Sequence, residues 1–131
     1  MVDIHCHILP GLDDGSDNIE ESVRMARLAV EGGTSTIIAT PHSNIPNSYQ
    51  NYCDKDYVEC FKALKTRLAE EKIPLKIFPG HEIFATDNFV ELIKSKKLLT
   101  ICNSDYPLVE FNFTEHSELS LIHISEPTRR Y

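Results

Sequence analysis

The chain has 131 residues, enough for one domain with a modest core. Its 20 acidic and 13 basic residues give a formal net charge of −7, which argues against general nucleic-acid binding, since that needs basic patches. The start Met1-Val2-Asp3 lacks the basic and apolar regions of a secretory leader, and no apolar run approaches the ~20 residues of a membrane span, so a cytoplasmic protein with reduced thiols is expected; Cys6, Cys53, Cys60 and Cys102 form no Cys-x-x-Cys pair.

The elements read in order as strand, helix, strand, helix, strand, helix, strand. The first strand runs into His5-Cys6-His7-Ile8-Leu9-Pro10-Gly11-Leu12-Asp13-Asp14-Gly15. Residues i and i+2 of a strand share a side, so His5 and His7 present two imidazoles to one point while Cys6 faces the packing side. Asp14 can swing back from the loop as an oxygen donor. Imidazole and carboxylate together suit Zn, Mn or Fe; a hydrogen-bonded histidine pair is the plainer alternative.

Helix one is predicted from Ile19 to Glu31, started by a capping box of Asn18 with Glu21 and stopped at Gly32-Gly33, with Ile19, Val23, Ala26 and Val30 as its buried stripe. The second strand, Ser35 to Thr40, delivers His42. The segment from Pro41 to Asp54 is polar and turn-rich, carrying Asn44, Asn47, Ser48, Tyr49, Gln50 and Asn51; it is either a substrate rim or an ordinary mobile surface loop. Helix two is predicted from Asp56 to Glu71 with Tyr57, Phe61, Leu64 and Leu68 inward and Pro74 marking its end. The third strand, Leu75 to Pro79, delivers Glu82. A short helix near Asp87 to Lys96 should turn Phe89, Val90 and Ile93 inward, and the fourth strand, Tyr106 to Phe111, carries Glu110.

Each of four strands thus brings a metal-type ligand to or near its C-terminal end. Ionised side chains rarely sit among apolar residues unless paired or bound to a cation. Alternating βα units imply parallel strands with right-handed crossovers, as in an open doubly wound sheet or a barrel. A barrel brings the four ligands to one place, so a TIM-like barrel with its site at the C-terminal face is favoured. Only about four βα units are present, against the roughly eight strands and 200 residues of a closed barrel, so the chain reads as the N-terminal half of one.

The tail Leu119-Ser120-Leu121-Ile122-His123-Ile124-Ser125-Glu126-Pro127-Thr128-Arg129 resembles the conceptual translation of a transposase-type sequencing adapter, with a genuine basic tail as the alternative. The domain is therefore assigned to residues 1–118 and residues 119–131 to a non-native tail. His123, Arg129 and Arg130 take no role.

The segments His5-Cys6-His7-Ile8-Leu9-Pro10, Asp13-Asp14-Gly15, Ile37-Ile38-Ala39-Thr40-Pro41-His42, Pro79-Gly80-His81-Glu82-Ile83 and Leu108-Val109-Glu110-Phe111 resemble the CpsB/CapC-type protein-tyrosine phosphatases, manganese-dependent members of the polymerase-and-histidinol-phosphatase (PHP) superfamily found with bacterial capsule and exopolysaccharide clusters. The resemblance covers about residues 1–118. It implies a truncated PHP barrel and a three-metal Mn²⁺ cluster: His5 and His7 on the first metal, Glu82 bridging first and second, Glu110 on the second, Asp14 and His42 on the third. Asp13 falls behind the ligands or shapes the loop, and neither His81 nor His116 takes a ligand role. Further ligands and phosphate-binding arginines of the family come from the second half of its barrel.

The implied substrate is the phosphotyrosine tail of a bacterial tyrosine autokinase that regulates polysaccharide synthesis. Divalent cations suit phosphate monoester hydrolysis and would reverse the local sign of an acidic chain. No Cys-x5-Arg signature is present, so a phosphocysteine route is not expected. The alternatives are another PHP phosphoesterase, for example one acting on histidinol phosphate, or an inactive truncated fragment. The parent gene is read as encoding the enzyme and the 131-residue chain as inactive, because half a barrel exposes sheet edges and core.

Overall fold

A computed structural model describes residues 1–111; His116 and the adapter-like segment from Leu119 onward lie outside the described residues. In chain order the elements are β1 (Val2–Cys6), α1 (Ile19–Glu31), β2 (Thr36–Ala39), β3 (His42–Ser43), α2 (Lys55–Glu70), β4 (Lys76–Pro79), β5 (Glu82–Phe84), α3 (Phe89–Lys94) and β6 (Leu108–Glu110). One parallel sheet has the order β1-β2-β4 and a second the order β3-β5-β6. The fold is therefore α/β with parallel strands, as the alternation of elements predicts.

The local chemistry explains the helix bounds. The Asn18 side chain accepts the Glu21 N–H at 2.9 Å and starts α1, while the Glu21 carboxylate turns away to Arg24, so only half of the expected capping box forms. Asp54 caps α2 by accepting from the Tyr57 N–H. The third helix is shorter than the sequence suggests: Asn88 makes no side-chain cap bond and Lys96 turns to φ 65°. Val90 is 41% exposed rather than inward; Leu92 and Ile93 pack with Phe89 instead.

The second and third predicted strands are each followed, after a two-residue break, by a further short strand that the sequence does not announce. The second breaks at Thr40-Pro41 and the third at Gly80-His81. Proline lacks the N–H a ladder needs. Gly80 allows the two chains to pass closely: a Cβ there would lie 3.1 Å from the Ile38 Cγ2 and 3.2 Å from the Ala39 carbonyl oxygen. His42 and Glu82 consequently lie inside short strands and are ladder partners, rather than following the strands as loop residues. At the break the buried Tyr57 hydroxyl donates to the Gly80 carbonyl at 2.8 Å and accepts the Gly80 N–H at 3.0 Å.

The main core lies between the first sheet and the helix pair, with Ile37, Ala39 and Ile77 facing Val23, Ala26, Leu64 and Leu68. Cys6 packs against it, as the alternation predicts. A smaller core of Ile83, Ala85, Phe89 and Leu98 supports the second sheet. Ile4 at 47% and Phe78 at 37% remain exposed on the sheet, the apolar exposure expected of part of a barrel wall.

The Tyr57 hydroxyl serves two backbone groups that nothing in a phenyl ring could serve. Tyr57→Phe is expected to cost about 2 kcal/mol through buried unsatisfied groups, read as a lower urea midpoint. An unchanged midpoint would show that the strand break does not depend on this clasp.

Candidate metal centre

The first strand sets the site. Its register against β2 slips between Asp3 and Cys6, so three steps of β1 oppose two of β2. The Asp3 carboxylate accepts the His5 N–H at 3.0 Å within this irregularity. His5, inside this irregularity, and His7, just past it, point the same way, their Nε2 atoms 3.2 Å apart. The loop that follows folds back under His7: the Ser16 N–H donates to the His7 carbonyl, and the buried Ser22 hydroxyl donates to the Ile8 carbonyl. The start of α1 is thereby fixed to the end of β1.

Asp13 sits behind the histidines. Its side chain is fully buried and its Oδ2 lies 2.7 Å from the His7 Nδ1. The same oxygen accepts the His42 N–H at 2.9 Å, and Oδ1 accepts the Gly15 N–H at 3.0 Å. With Nδ1 engaged, His7 presents Nε2 forward, the arrangement by which a carboxylate orients a metal-binding imidazole. Gly15 is required by proximity: a Cβ there would overlap the His7 backbone oxygen and Cβ.

The other donors arrive from β3, β5 and β6. The Glu82 Oε1 lies 3.1 Å from the Nε2 of both His5 and His7, and 3.4 Å from the His42 Nδ1. The Glu110 Oε1 lies 3.1 Å from the same His42 nitrogen. On the far side of that ring, the His42 Nε2 is 3.7 Å from the Asp14 Oδ1. The structure therefore brings together all six sequence-predicted residues, His5, His7, Asp14, His42, Glu82 and Glu110. Together with Asp13 their donor atoms fall into three groups, His5-His7-Glu82, His42-Glu82-Glu110 and His7-Asp13-Asp14-His42, each within 4.8 Å. Glu82, His7 and His42 each belong to two groups. Asp14 is 70% exposed at its side chain and Glu82 only 12%, so the cluster runs from a half-buried centre to an open rim.

The electrostatics suit a cation. The hydrogen bond to Asp13, and next that to Glu82, push His7 up to about 10 against the opposing effect of burial. Burial works to raise the Glu82 carboxyl, but hydrogen bonds from His7 and His5 outweigh it and hold the group below its ordinary range. Asp13 behaves alike: burial opposes ionisation, and His7 with the His42 and Gly15 amides prevails. The imidazoles of His5, His7 and His42 with the carboxylates of Asp14, Glu82 and Glu110 form a mixed nitrogen and carboxylate donor set of the kind that suits Zn, Mn or Fe.

His81 adjoins Glu82 but turns inward, fully buried. Its Nε2 donates to the Asn51 carbonyl at 2.6 Å and its Nδ1 accepts the Leu99 N–H at 2.9 Å. Burial, the main cause, lowers its pKa to about 4, so it is a neutral strut. The Pro41–Asp54 segment is bonded to the site rather than loosely attached: Asn51 Nδ2 donates to the carbonyls of Leu12 and His42 at 2.7 and 2.8 Å. The side-chain bonds of Asn51 and the strut of His81 escaped the sequence reading, because their partners are main-chain atoms distant in the chain.

The family model described as capsular polysaccharide synthesis, CpsB/CapC, matches residues 1–125. The tyrosine-protein phosphatase YwqE of Bacillus subtilis is 42% identical over 113 residues, covering 86% of this chain and 44% of its own. The tyrosine-protein phosphatase CpsB of Streptococcus pneumoniae is 30% identical over 123 residues, covering 94% of this chain and 49% of its own. A solved structure from the work on B. subtilis YwqE and S. pneumoniae CpsB, described as metal-dependent tyrosine phosphatases, superposes with a TM-score of 0.83 at 38% identity, over all of this chain and 53% of that one. The chain thus spans less than half the length of these curated relatives.

Gly15→Ala would push the loop off His7. The expected result is affinity for an added divalent metal weakened about ten- to a hundredfold by titration calorimetry, the scale for losing a partner that orients a ligand. Unchanged affinity would show that the Gly15 contact does not set the position of His7.

Proposed function

The chain belongs to the CpsB/CapC family of capsular polysaccharide synthesis proteins, and from that membership we propose that the full-length gene product is a metal-dependent protein-tyrosine phosphatase. The observation that carries this is the convergence of nitrogen and oxygen donors from β1, the loop after it, β3, β5 and β6 into overlapping groups. We propose His5, His7, Asp14, His42, Glu82 and Glu110 as metal ligands, with Glu82 shared between two ions and Asp14 and His42 together on a third. Such ions, when bound, supply water ionised near neutral pH and offset the charge of a phosphoryl group.

The chain's own residues do the rest. Asp13 keeps the His7 Nδ1 occupied and so fixes which nitrogen faces the centre. His42 turns Nδ1 toward Glu82 and Glu110 and Nε2 toward Asp14. The half-buried Glu82 and the exposed Asp14 define an inner and an outer end, so a phosphate ester enters with its phosphoryl group toward Glu82 and its alcohol toward solvent. A tyrosinate leaving group, with a parent phenol pKa near ~10, departs without strong need of a proton donor.

Manganese is the proposed metal, and a PHP-type barrel the proposed architecture of the whole protein. The proposed substrate is a phosphotyrosine-bearing protein, the tail of a bacterial tyrosine autokinase. Action in the cytoplasm fits four free cysteines, and among the described residues no helix is long and apolar enough to cross a membrane.

The full-length product should release phosphate from a phosphotyrosine peptide in Mn²⁺ and lose that activity on chelation. His5→Ala and Glu82→Ala should each lower kcat/KM by about a hundredfold or more. Activity in either variant equal to the unsubstituted protein would contradict the cluster. Preference for small alkyl phosphates over the peptide would favour a histidinol-phosphatase-like esterase.

A further inference from the structure

We propose that Tyr49 is a specificity-determining residue: its ring forms the outer wall on which the aryl group of a phosphotyrosyl substrate stacks. The inference rests on the phosphatase reading above and adds to it a cause of aryl preference within this chain.

Tyr49 belongs to a loop that closes on itself. The Asn44 N–H donates to the Gln50 carbonyl at 2.9 Å and the Ile45 N–H to the Tyr49 carbonyl at 3.0 Å. Asn44, Asn47 and Asn51 take φ values of 62°, 59° and 43°, a conformation asparagine tolerates better than most residues. Both ends are tied to the site. Asn44 Nδ2 donates to the Phe84 carbonyl and to the Thr86 hydroxyl, each at 2.9 Å, and the Tyr52 hydroxyl donates to Asn44 Oδ1. Asn51 holds the other end to the carbonyls of Leu12 and His42. The loop is thus positioned by the same strand ends that position Glu82 and His42.

It carries an aromatic ring to the edge of the donor cluster. Tyr49 lies 6.2 Å from His42 between centroids with the planes 16° apart, within the range of offset stacking. Its side is 37% exposed, so the ring extends the face of His42 outward to solvent. On this proposal a phosphoryl group held among the carboxylates and imidazoles directs its ester substituent outward along the Tyr49 ring, the exposed extension of His42. A phenyl ring there gains a flat, rigid, apolar partner whose ordering is complete before binding. An alkyl group lacks the face that would use it.

The test compares Tyr49→Leu, which keeps bulk without a ring, with Tyr49→Phe in the full-length Mn²⁺-loaded protein. The readouts are kcat/KM on a phosphotyrosine peptide, kcat/KM on glycerol phosphate, and bound manganese by elemental analysis. Tyr49→Leu is expected to lower the aryl-to-alkyl ratio about five- to tenfold, mainly through KM, with manganese content unchanged. Tyr49→Phe should keep the ratio of the unsubstituted protein. Equal loss on both substrates, or loss of manganese in step with activity, would overturn the proposal and leave Tyr49 as a support for His42. A retained ratio in Tyr49→Leu would overturn it too. If the unsubstituted protein cleaves neither ester, the phosphatase reading falls and this inference with it.

Discussion

The Asp13 carboxylate joins its own loop and the end of the first strand to His42, 29 residues further along the chain. It accepts from the His7 ring at the end of β1, from the His42 amide at the start of β3 and from the Gly15 amide in the connecting loop. A charge with no exposed surface persists only when fully hydrogen-bonded, and these three donors satisfy that demand. The consequence reaches every forward-facing donor. His7 can turn only Nε2 toward Glu82, and His42 is held at the height where its two nitrogens face Glu110 and Asp14.

Parallel strands make this geometry economical. All their C-terminal ends lie on one side, so a single ligand-type residue per strand accumulates into a cluster. The paired breaks at Thr40-Pro41 and Gly80-His81 refine it, because they let His42 and Glu82 become ladder partners across a second short sheet. The break at Gly80-His81 is held by the Tyr57 hydroxyl and by the buried His81 ring, and the centroids of the two rings are 4.8 Å apart. The helix layer anchors the same level from the other side, through Ser22 and the Ile8 carbonyl. Core and site are therefore continuous, and the carboxylate field that favours a cation is built on rigid backbone.

The parts of the fold legible in the sequence were those governed by near neighbours. Asn18, Glu21 and Gly32 mark both ends of the first helix because capping is local. Tyr57, Leu64 and Leu68 declare the buried face of the second by spacing alone. Five of the six ligand-type residues stand out because they lie in or just after apolar runs, and Asp14 because it sits in the loop that follows the first of them. What escaped depends on partners distant in sequence. The strand divisions arise from the close passage of Gly80 by Ile38, and the inward turn of His81 from carbonyl and amide groups at Asn51 and Leu99. Val90 faces solvent while Leu92 and Ile93 pack with Phe89, a choice of face that so short an apolar run does not specify. The Asn-rich segment after Pro41 reads as polar loop, yet its side chains are bonded into the site.

The central claim is that imidazoles and carboxylates from four strand ends share divalent ions. Anomalous diffraction at the manganese edge, from crystals of the full-length product grown with Mn²⁺, tests it directly. The account predicts anomalous peaks within ligand distance of His5, His7 and Glu82, of Glu82 and Glu110, and of Asp14 and His42. Manganese bound elsewhere, with no peak among these side chains, would contradict it.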